Sequence, residues 1–218
     1  MFKYLPHLIR KEFMLEWKQR YALSGLLLYV VTTIFVCYLC FKKVVDVPSW
    51  NALFWIILLF ASVNAVAKSF MQESRHRNLY YYTLAAPQVV IGAKLVYNTL
   101  LLFTLALIHL LVYGLLIGNP VQDLPLFMVA LMLGVFGLAS VMTLISAIAS
   151  KAGANSTLMA ILGFPVLMPL LLTSIRLSKN AVDGLTVASN QQFIIVLIAL
   201  NIAISALAII LFPYLWRE

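Results

Sequence analysis

Long apolar runs dominate the sequence, and short polar segments separate them. A helix needs about 20 apolar residues to cross the hydrocarbon core of a bilayer. Read at that length, the pattern predicts six spans: Ala22–Phe41, Asn51–Ala67, Val96–Ile117, Leu124–Ala149, Ser156–Ile175 and Gln192–Tyr214. The predicted fold is therefore an all-α integral membrane protein with both termini on the same side.

Residues 1–20 are too polar to be a span, but their spacing fits an amphipathic helix. At 100° per residue, basic residues that include Arg10 and Lys11 share one side, and apolar residues that include Phe13 share a broad arc on the other. Such a helix lies along the membrane surface. We therefore expect an interfacial helix before the first span.

Glu12 and Glu16 project from within the apolar arc of this helix, where lipid alone does not favour a carboxylate. In one interpretation Glu16 pairs with Arg20 and Glu12 reaches the headgroups. In the other, Glu12 pairs with Arg75 or Arg77 of the polar segment between the second and third spans. The sequence leaves both open.

The segment between the second and third spans, Lys68–Leu95, is much longer than a connection requires. A short helix around Glu73–Tyr82 would present arginines beside tyrosines, which are typical hot-spot residues of interfaces. The alternative is a solvated loop with its tyrosines at the headgroups. The candidate docking residues for a partner are Glu73, Arg75, His76, Arg77, Tyr80 and Tyr81.

Composition supports one membrane domain, because 64% of the 218 residues are hydrophobic and only 10% are charged. The net charge of +8 lacks the clustered basic face of a nucleic-acid binder. Placing both termini in the cytoplasm puts eleven of the 15 Lys and Arg residues on that side, which the positive-inside rule favours. Trp50 and Trp55, near predicted span ends, are expected to anchor at the headgroups.

The sequence lacks the motifs that catalysis would require. The acidic residues all fall outside the predicted span interiors, so the intramembrane ionisable group typical of ion-coupled transporters and membrane proteases is missing. The sequence contains no H-E-x-x-H, G-x-S-x-G or phosphate-binding G-x-x-x-x-G-K-[ST] pattern. The chain is therefore predicted not to be an enzyme, and any ATP hydrolysis would belong to a partner subunit.

His109 is the only histidine within a predicted span. It could ligate a haem iron, but a hydrogen bond to a neighbouring helix is the commoner role of such a residue. Asn64, Asn98 and Asn201 are expected to hold helices together in the same way. Cys37 and Cys40 form a C-x-x-C pair inside an apolar run and are predicted to be two buried thiols.

Helix packing is predicted from small residues in the fourth span and prolines in the fifth. Small side chains on one face let helices approach closely, and intrahelical prolines free backbone carbonyls that neighbours must satisfy. The residues concerned are Gly137, Ser140, Thr143, Ala147, Pro165 and Pro169.

Together these features resemble an ABC-2-type permease, and more narrowly the haem exporter B permease (CcmB) family of the cytochrome c maturation system. The similarity covers nearly the full chain. It is carried by Arg10–Glu12 (RKE), Leu84–Pro87 (LAAP), Ile91–Lys94 (IGAK), Ala147–Lys151 (AIASK) and Gly163–Pro169 (GFPVLMP).

The resemblance implies that residues 1–20 form a cytoplasmic-side helix and that residues 21–218 form a six-helix transmembrane domain. It also implies that the segment around Glu73–Tyr82 is a coupling helix that docks the ATPase. It implies a bacterial inner membrane protein that pairs with a second copy, a cytoplasmic ABC ATPase subunit, a haem-handling membrane protein and a haem chaperone. Haem would be the ligand that is transported or handled, and ATP would act through the partner. The alternatives are an ABC-2 permease for another substrate, such as lipid or drug, and a non-transport membrane scaffold.

Overall fold

In the computed structural model, residues 5–18, 20–41, 45–66, 86–151 and 156–217 are described, and every regular element among them is helical. The helices are α1 (Leu5–Lys18), α2 (Arg20–Phe41), α3 (Val47–Val66), α4 (Pro87–Ile117), α5 (Leu124–Lys151), α6 (Ser156–Val182) and α7 (Gln191–Arg217). A 3₁₀ turn at Val187–Asn190 precedes α7.

Five stretches of the described residues are long and apolar enough to cross a membrane. They are Leu23–Phe41, Val47–Val66, Pro87–Ile117, Leu124–Ser150 and Val187–Leu215. The remaining predicted span falls in α6, a 27-residue helix that contains two prolines. The all-helical class is confirmed, and the count of six spans stays a prediction.

The start of α4 differs from the predicted start of the third span at Val96. The helix begins at Pro87, after Ala86 in an extended conformation. Proline suits this position because its φ is already helical and its missing N–H would have had no partner in the first turn. Lys94, which the sequence prediction places outside the span, is therefore part of a helix that is long and apolar enough to cross a membrane.

The most buried helix of the bundle is α5, which makes its most extensive contacts with α6, α7 and α4 and also packs on α3. In its span, 72% of residues are buried, against 50% in α3 and 11% in α2. The glycines and small residues of α5 allow neighbours on all sides to approach it. This central position explains why small and polar side chains of α5 are buried.

The N-terminal helix α1 packs against the beginning of α4 and more weakly against α2. We call this end of the bundle the α1 end, and the opposite end, where residues 118–123 join α4 to α5, the far end. A helix at Leu5–Lys18 agrees with the predicted amphipathic pattern, and its position at a membrane surface stays a prediction. The predicted coupling helix lies in residues 67–85, outside the described residues.

At the far end, the link between α4 and α5 is a tight turn that starts at Gly118. This glycine has a φ of +105°, a conformation that L side chains rarely adopt. The Asp123 carboxylate accepts a hydrogen bond from the Leu126 amide (2.9 Å) and caps α5. The backbone of Asp123 also donates to the Ala181 carbonyl (2.9 Å), which fixes the turn to the end of α6.

Candidate functional site: the junction of α1 with α4

The side chain of Lys94 lies inside the bundle at the α1 end, and only 1% of it is exposed. Its Nζ is 3.3 Å from Oε2 of Glu12 on α1. The other carboxylate oxygen of Glu12 is 3.2 Å from Nζ of Lys11, and 11% of the Glu12 side chain is exposed. A buried ammonium group is costly unless it is paired, so this carboxylate compensates Lys94.

Aromatic and apolar contacts flank the Glu12–Lys94 ion pair. The rings of Phe13 and Tyr97 meet edge to face with their centroids 5.1 Å apart, and Tyr97 is buried. Leu8, one turn before Glu12, packs against the apolar cluster that includes Val90 and Ile91. The N-terminal helix is therefore held to α4 by residues on successive turns of both helices.

The same part of α4 is fixed to α5. Asn98, one turn after Lys94, donates a hydrogen bond from Nδ2 to the Thr143 hydroxyl (2.8 Å). Thr143 in turn donates to the Ala139 carbonyl of its own helix (2.6 Å). Two polar contacts one turn apart on α4 thus join this helix to α1 and to the central helix.

The interpretation in which Glu12 reaches the headgroups is wrong, since its carboxylate is held within the protein at Lys94. The hypothesis that Glu12 pairs with Arg75 or Arg77 stays a prediction, and the structure adds Lys94 of α4 as a partner that neither interpretation named. Arg75 and Arg77 lie outside the described residues. The sequence signal that could have identified Lys94 is Pro87, since a helix that starts there includes the lysine.

The other candidate residues of α1 are less constrained. Arg10 is exposed, Lys11 is partly exposed, and Glu16 lies among the residues whose side chains are not described. The predicted docking residues Glu73, Arg75, His76, Arg77, Tyr80 and Tyr81 likewise fall outside the described part of the chain. That segment ends immediately before Ala86 and the start of α4.

The small residues of α5 face three neighbouring helices. A Cβ atom on Gly137 would lie 2.4 Å from Cδ1 of Leu170 on α6 and 2.6 Å from Oδ1 of Asn201 on α7. The hydroxyl of Ser140 lies 3.3 Å from that of Ser205 on α7.

Further along α5, Ala147 belongs to the apolar cluster at the α1 end. The prolines of α6, Pro165 and Pro169, are exposed on the surface of the bundle. Thr173 donates to the Pro169 carbonyl (2.8 Å) within the same helix.

His109 is fully buried, but among the described residues it has no hydrogen bond to a neighbouring helix of the kind predicted. Its ring stacks on Phe54, with the centroids 4.5 Å apart and the planes 9° apart, and it meets Tyr113 edge to face. Neither ring nitrogen has a hydrogen-bond partner among the described residues. Within them, no group of three His, Cys, Asp or Glu residues could hold a metal ion.

The three asparagines differ in their roles. Asn98 and Asn201 bond across helices as predicted, since Asn201 donates to the Leu133 carbonyl of α5 (2.9 Å). For Asn64 the prediction is wrong, because it is exposed and donates to the Phe60 carbonyl of its own helix (3.0 Å).

Predictions for the tryptophans and cysteines also require correction. Trp50 and Trp55 are buried rather than anchored at a surface, and their indole N–H groups donate to the Gly118 carbonyl and the Ser178 hydroxyl, both at 2.8 Å. Both cysteines are free thiols, as expected, but Cys37 is only partly buried and Cys40 is exposed. Apolar pattern alone does not distinguish a helix face that packs from one that meets lipid.

The apolar helices of span length define a multi-pass helical membrane protein. Its central helix carries small residues, and it contains a buried ion pair. The sequence matches the model of the CcmB protein family over residues 3–213, which is nearly the whole chain. The chain therefore belongs to the CcmB family. CcmB is the B permease of the haem exporter, and this exporter serves cytochrome c maturation. A comparison with curated proteins gives no match.

Proposed function

We propose that this chain is the permease subunit of an ABC transporter complex in the bacterial inner membrane. A separate cytoplasmic ATPase subunit hydrolyses ATP, and the complex delivers haem for c-type cytochrome assembly by releasing a haem-loaded chaperone. The observation that carries this proposal is the CcmB family match over residues 3–213. Catalysis of ATP hydrolysis lies with the partner, because the sequence has no phosphate-binding loop.

The mechanical role is favoured over passage of haem through this chain. The one histidine within a candidate span, His109, is enclosed by aromatic rings with no other metal-ligating side chains grouped around it in the described residues. Haem coordination then falls to the partner membrane protein and the chaperone. The contribution of this chain is to transmit movement from the ATPase.

The complex that we propose contains two copies of the chain, each with one ATPase subunit. Both termini lie in the cytoplasm, together with the polar segment that precedes α4. ATPase docking is assigned to Glu73, Arg75, His76, Arg77, Tyr80 and Tyr81, with arginine and tyrosine as the anchoring side chains. The contacts of α1 with the start of α4 are well placed to receive any movement of that segment.

The test of the proposed function is a haem-peroxidase stain of c-type cytochromes in cells that lack the gene. Loss of covalently bound haem, restored by a complementing copy, supports the proposal. Normal cytochromes in the deletion strain would contradict it and would favour export of a different substrate. Copurification of the ATPase subunit with the wild-type chain, and its loss in Arg75→Glu or Arg77→Glu, tests the docking assignment.

A further inference from the structure

Lys94 is a charged side chain that the bundle encloses almost completely, inside a helix that can span a membrane. Its Nζ is paired with a carboxylate that a different helix, α1, supplies. If α1 left its position, the ammonium group would lose this counter-charge in a low-dielectric surrounding. The ion pair therefore adds to the apolar contacts of α1 one contact that is tied to a single atom of α4.

Apolar contacts alone would not define that position as sharply. Phe13 is 48% exposed and Met14 is 50% exposed, so much of the apolar side of α1 is left uncovered by the bundle. An apolar helix face binds a lipid surface as readily as a protein surface and in many positions. A single buried charge pair has a specific geometry, and setting register is the best-attested use of such pairs.

We propose that Glu12 and Lys94 are a positioning pair that fixes α1 to the beginning of α4, so that the two helices move together during the ATP-driven cycle. This proposal rests on the proposed function. Movement of the polar segment before Pro87 would be transmitted to α1 through Lys94 and to the central helix through Asn98 and Thr143. Disrupting the pair uncouples ATP hydrolysis from haem delivery.

The position of α1 can be measured directly with a thiol crosslink. In full-length chain with Cys37→Ala and Cys40→Ala, the substitutions Phe13→Cys and Tyr97→Cys place thiols on two side chains whose rings are 5.1 Å apart. A short bifunctional thiol reagent then reports whether α1 is docked in native membranes. This readout is independent of haem and of the ATPase.

In this background, Glu12→Gln is expected to lower crosslinking at least about five-fold, because the buried ammonium group loses its counter-charge. The charge exchange Glu12→Lys with Lys94→Glu is expected to restore it to within about two-fold of the parent, since the pair is re-formed. Arg10→Gln is the matched control and leaves crosslinking unchanged, because Arg10 is an exposed basic residue of α1. Undiminished crosslinking in Glu12→Gln would overturn the proposal.

The coupling role is tested on the wild-type cysteine background, in membranes that contain the complete complex. In Glu12→Gln, c-type cytochrome per copy of chain is expected to fall at least about five-fold while ATP hydrolysis per complex stays within about two-fold, and the charge exchange restores the cytochromes. A merely structural role would lower total activity only in proportion to the amount of chain and leave both normalised activities unchanged, and that result would overturn the coupling role. Reduced crosslinking with normal cytochromes in Glu12→Gln would overturn it as well.

Failure of the proposed function gives a different result from failure of this proposal. If deletion of the gene leaves c-type cytochromes unchanged, the proposed function is wrong, and the coupling role falls with it. The crosslinking series then still decides whether Glu12 and Lys94 position α1. If deletion removes the cytochromes but Glu12→Gln retains them, only the coupling role is contradicted.

Discussion

The imidazole of His109 stacks on the ring of Phe54 with a centroid separation of 4.5 Å, and neither of its nitrogens has a hydrogen-bond partner among the described residues. This histidine therefore behaves as an aromatic packing residue. An unsatisfied buried polar atom costs free energy that an apolar ring of similar size would not.

We expect His109→Phe to raise the free energy of unfolding by about 1 kcal/mol, because it removes two buried nitrogens that lack partners in the described part of the chain. Cytochrome assembly should be unaffected. The matched control is Tyr113→Phe, which removes a hydroxyl that donates to the Trp50 carbonyl (3.0 Å) and should lower stability by about 1 kcal/mol. Thermal unfolding of the purified chain in detergent measures both. Loss of cytochromes in His109→Phe at normal abundance would show that the histidine has a role beyond packing.

Close approach at Gly134 gives a prediction about the core. A Cβ atom there would lie 2.3 Å from Cη2 of Trp55, whose indole is fixed by its hydrogen bond to Ser178. Gly134→Ala is expected to destabilise the chain by about 1 to 3 kcal/mol through overpacking. Gly25→Ala is the control, because nothing lies within 4 Å of that position, and it should be neutral or slightly stabilising. Equal melting temperatures of the two variants would contradict the packing at α5.

The interhelical asparagines can be compared with one that bonds within its own helix. Asn98→Leu should lower stability by about 1 kcal/mol, because the Thr143 hydroxyl loses a hydrogen-bond donor from α4. Asn64→Leu should change stability little, since this residue is exposed and bonds to its own helix. Denaturation of both variants in the same detergent tests the difference. A larger effect for Asn64 than for Asn98 would be inconsistent with the observed contacts.

Asp46 gives a prediction about pH. Hydrogen bonds from the Ser49 side chain and backbone at the start of α3 hold the pKa of this exposed carboxyl below its usual value. A lowered pKa means that ionised Asp46 stabilises the folded state above the unfolded pKa of about 3.9, and that this contribution is lost as pH falls through the folded value. The difference in melting temperature between wild type and Asp46→Asn should therefore be constant at pH 5 to 7 and decrease below about pH 4. A difference that does not change with pH would show that the carboxylate charge is unimportant there.

The sequence pattern predicted the helical class and most helix positions well, because apolar runs of span length have few alternatives to a membrane helix. The predicted third span starts at Val96 because Lys94 marks the edge of the apolar run, while the helix itself continues back to Pro87. Hydropathy indicates where lipid tolerates a charged side chain. It does not indicate where a charged side chain is buried inside the protein.

The residues at the α1 end show the same limit. From sequence, Glu12 is an acid within an apolar arc, and a partner elsewhere in the chain is one of two interpretations. Its partner could not be chosen, because 82 positions separate it from Lys94 and periodicity along one helix carries no information about another. Trp50 and Trp55 were misplaced for a related reason, since span ends and buried ends of a bundle have the same local composition.

By itself the sequence therefore determined that this chain is a helical membrane protein, because the composition and lengths of its apolar runs allow little else. Its match to the CcmB family makes it a membrane component of the haem exporter for cytochrome c maturation. The tertiary structure alone decided which side chains meet: Glu12 with Lys94, Asn98 with Thr143, and His109 with the ring of Phe54. These contacts depend on how the helices pack against one another, and packing is set by side-chain shape across distant parts of the chain, which hydropathy does not record.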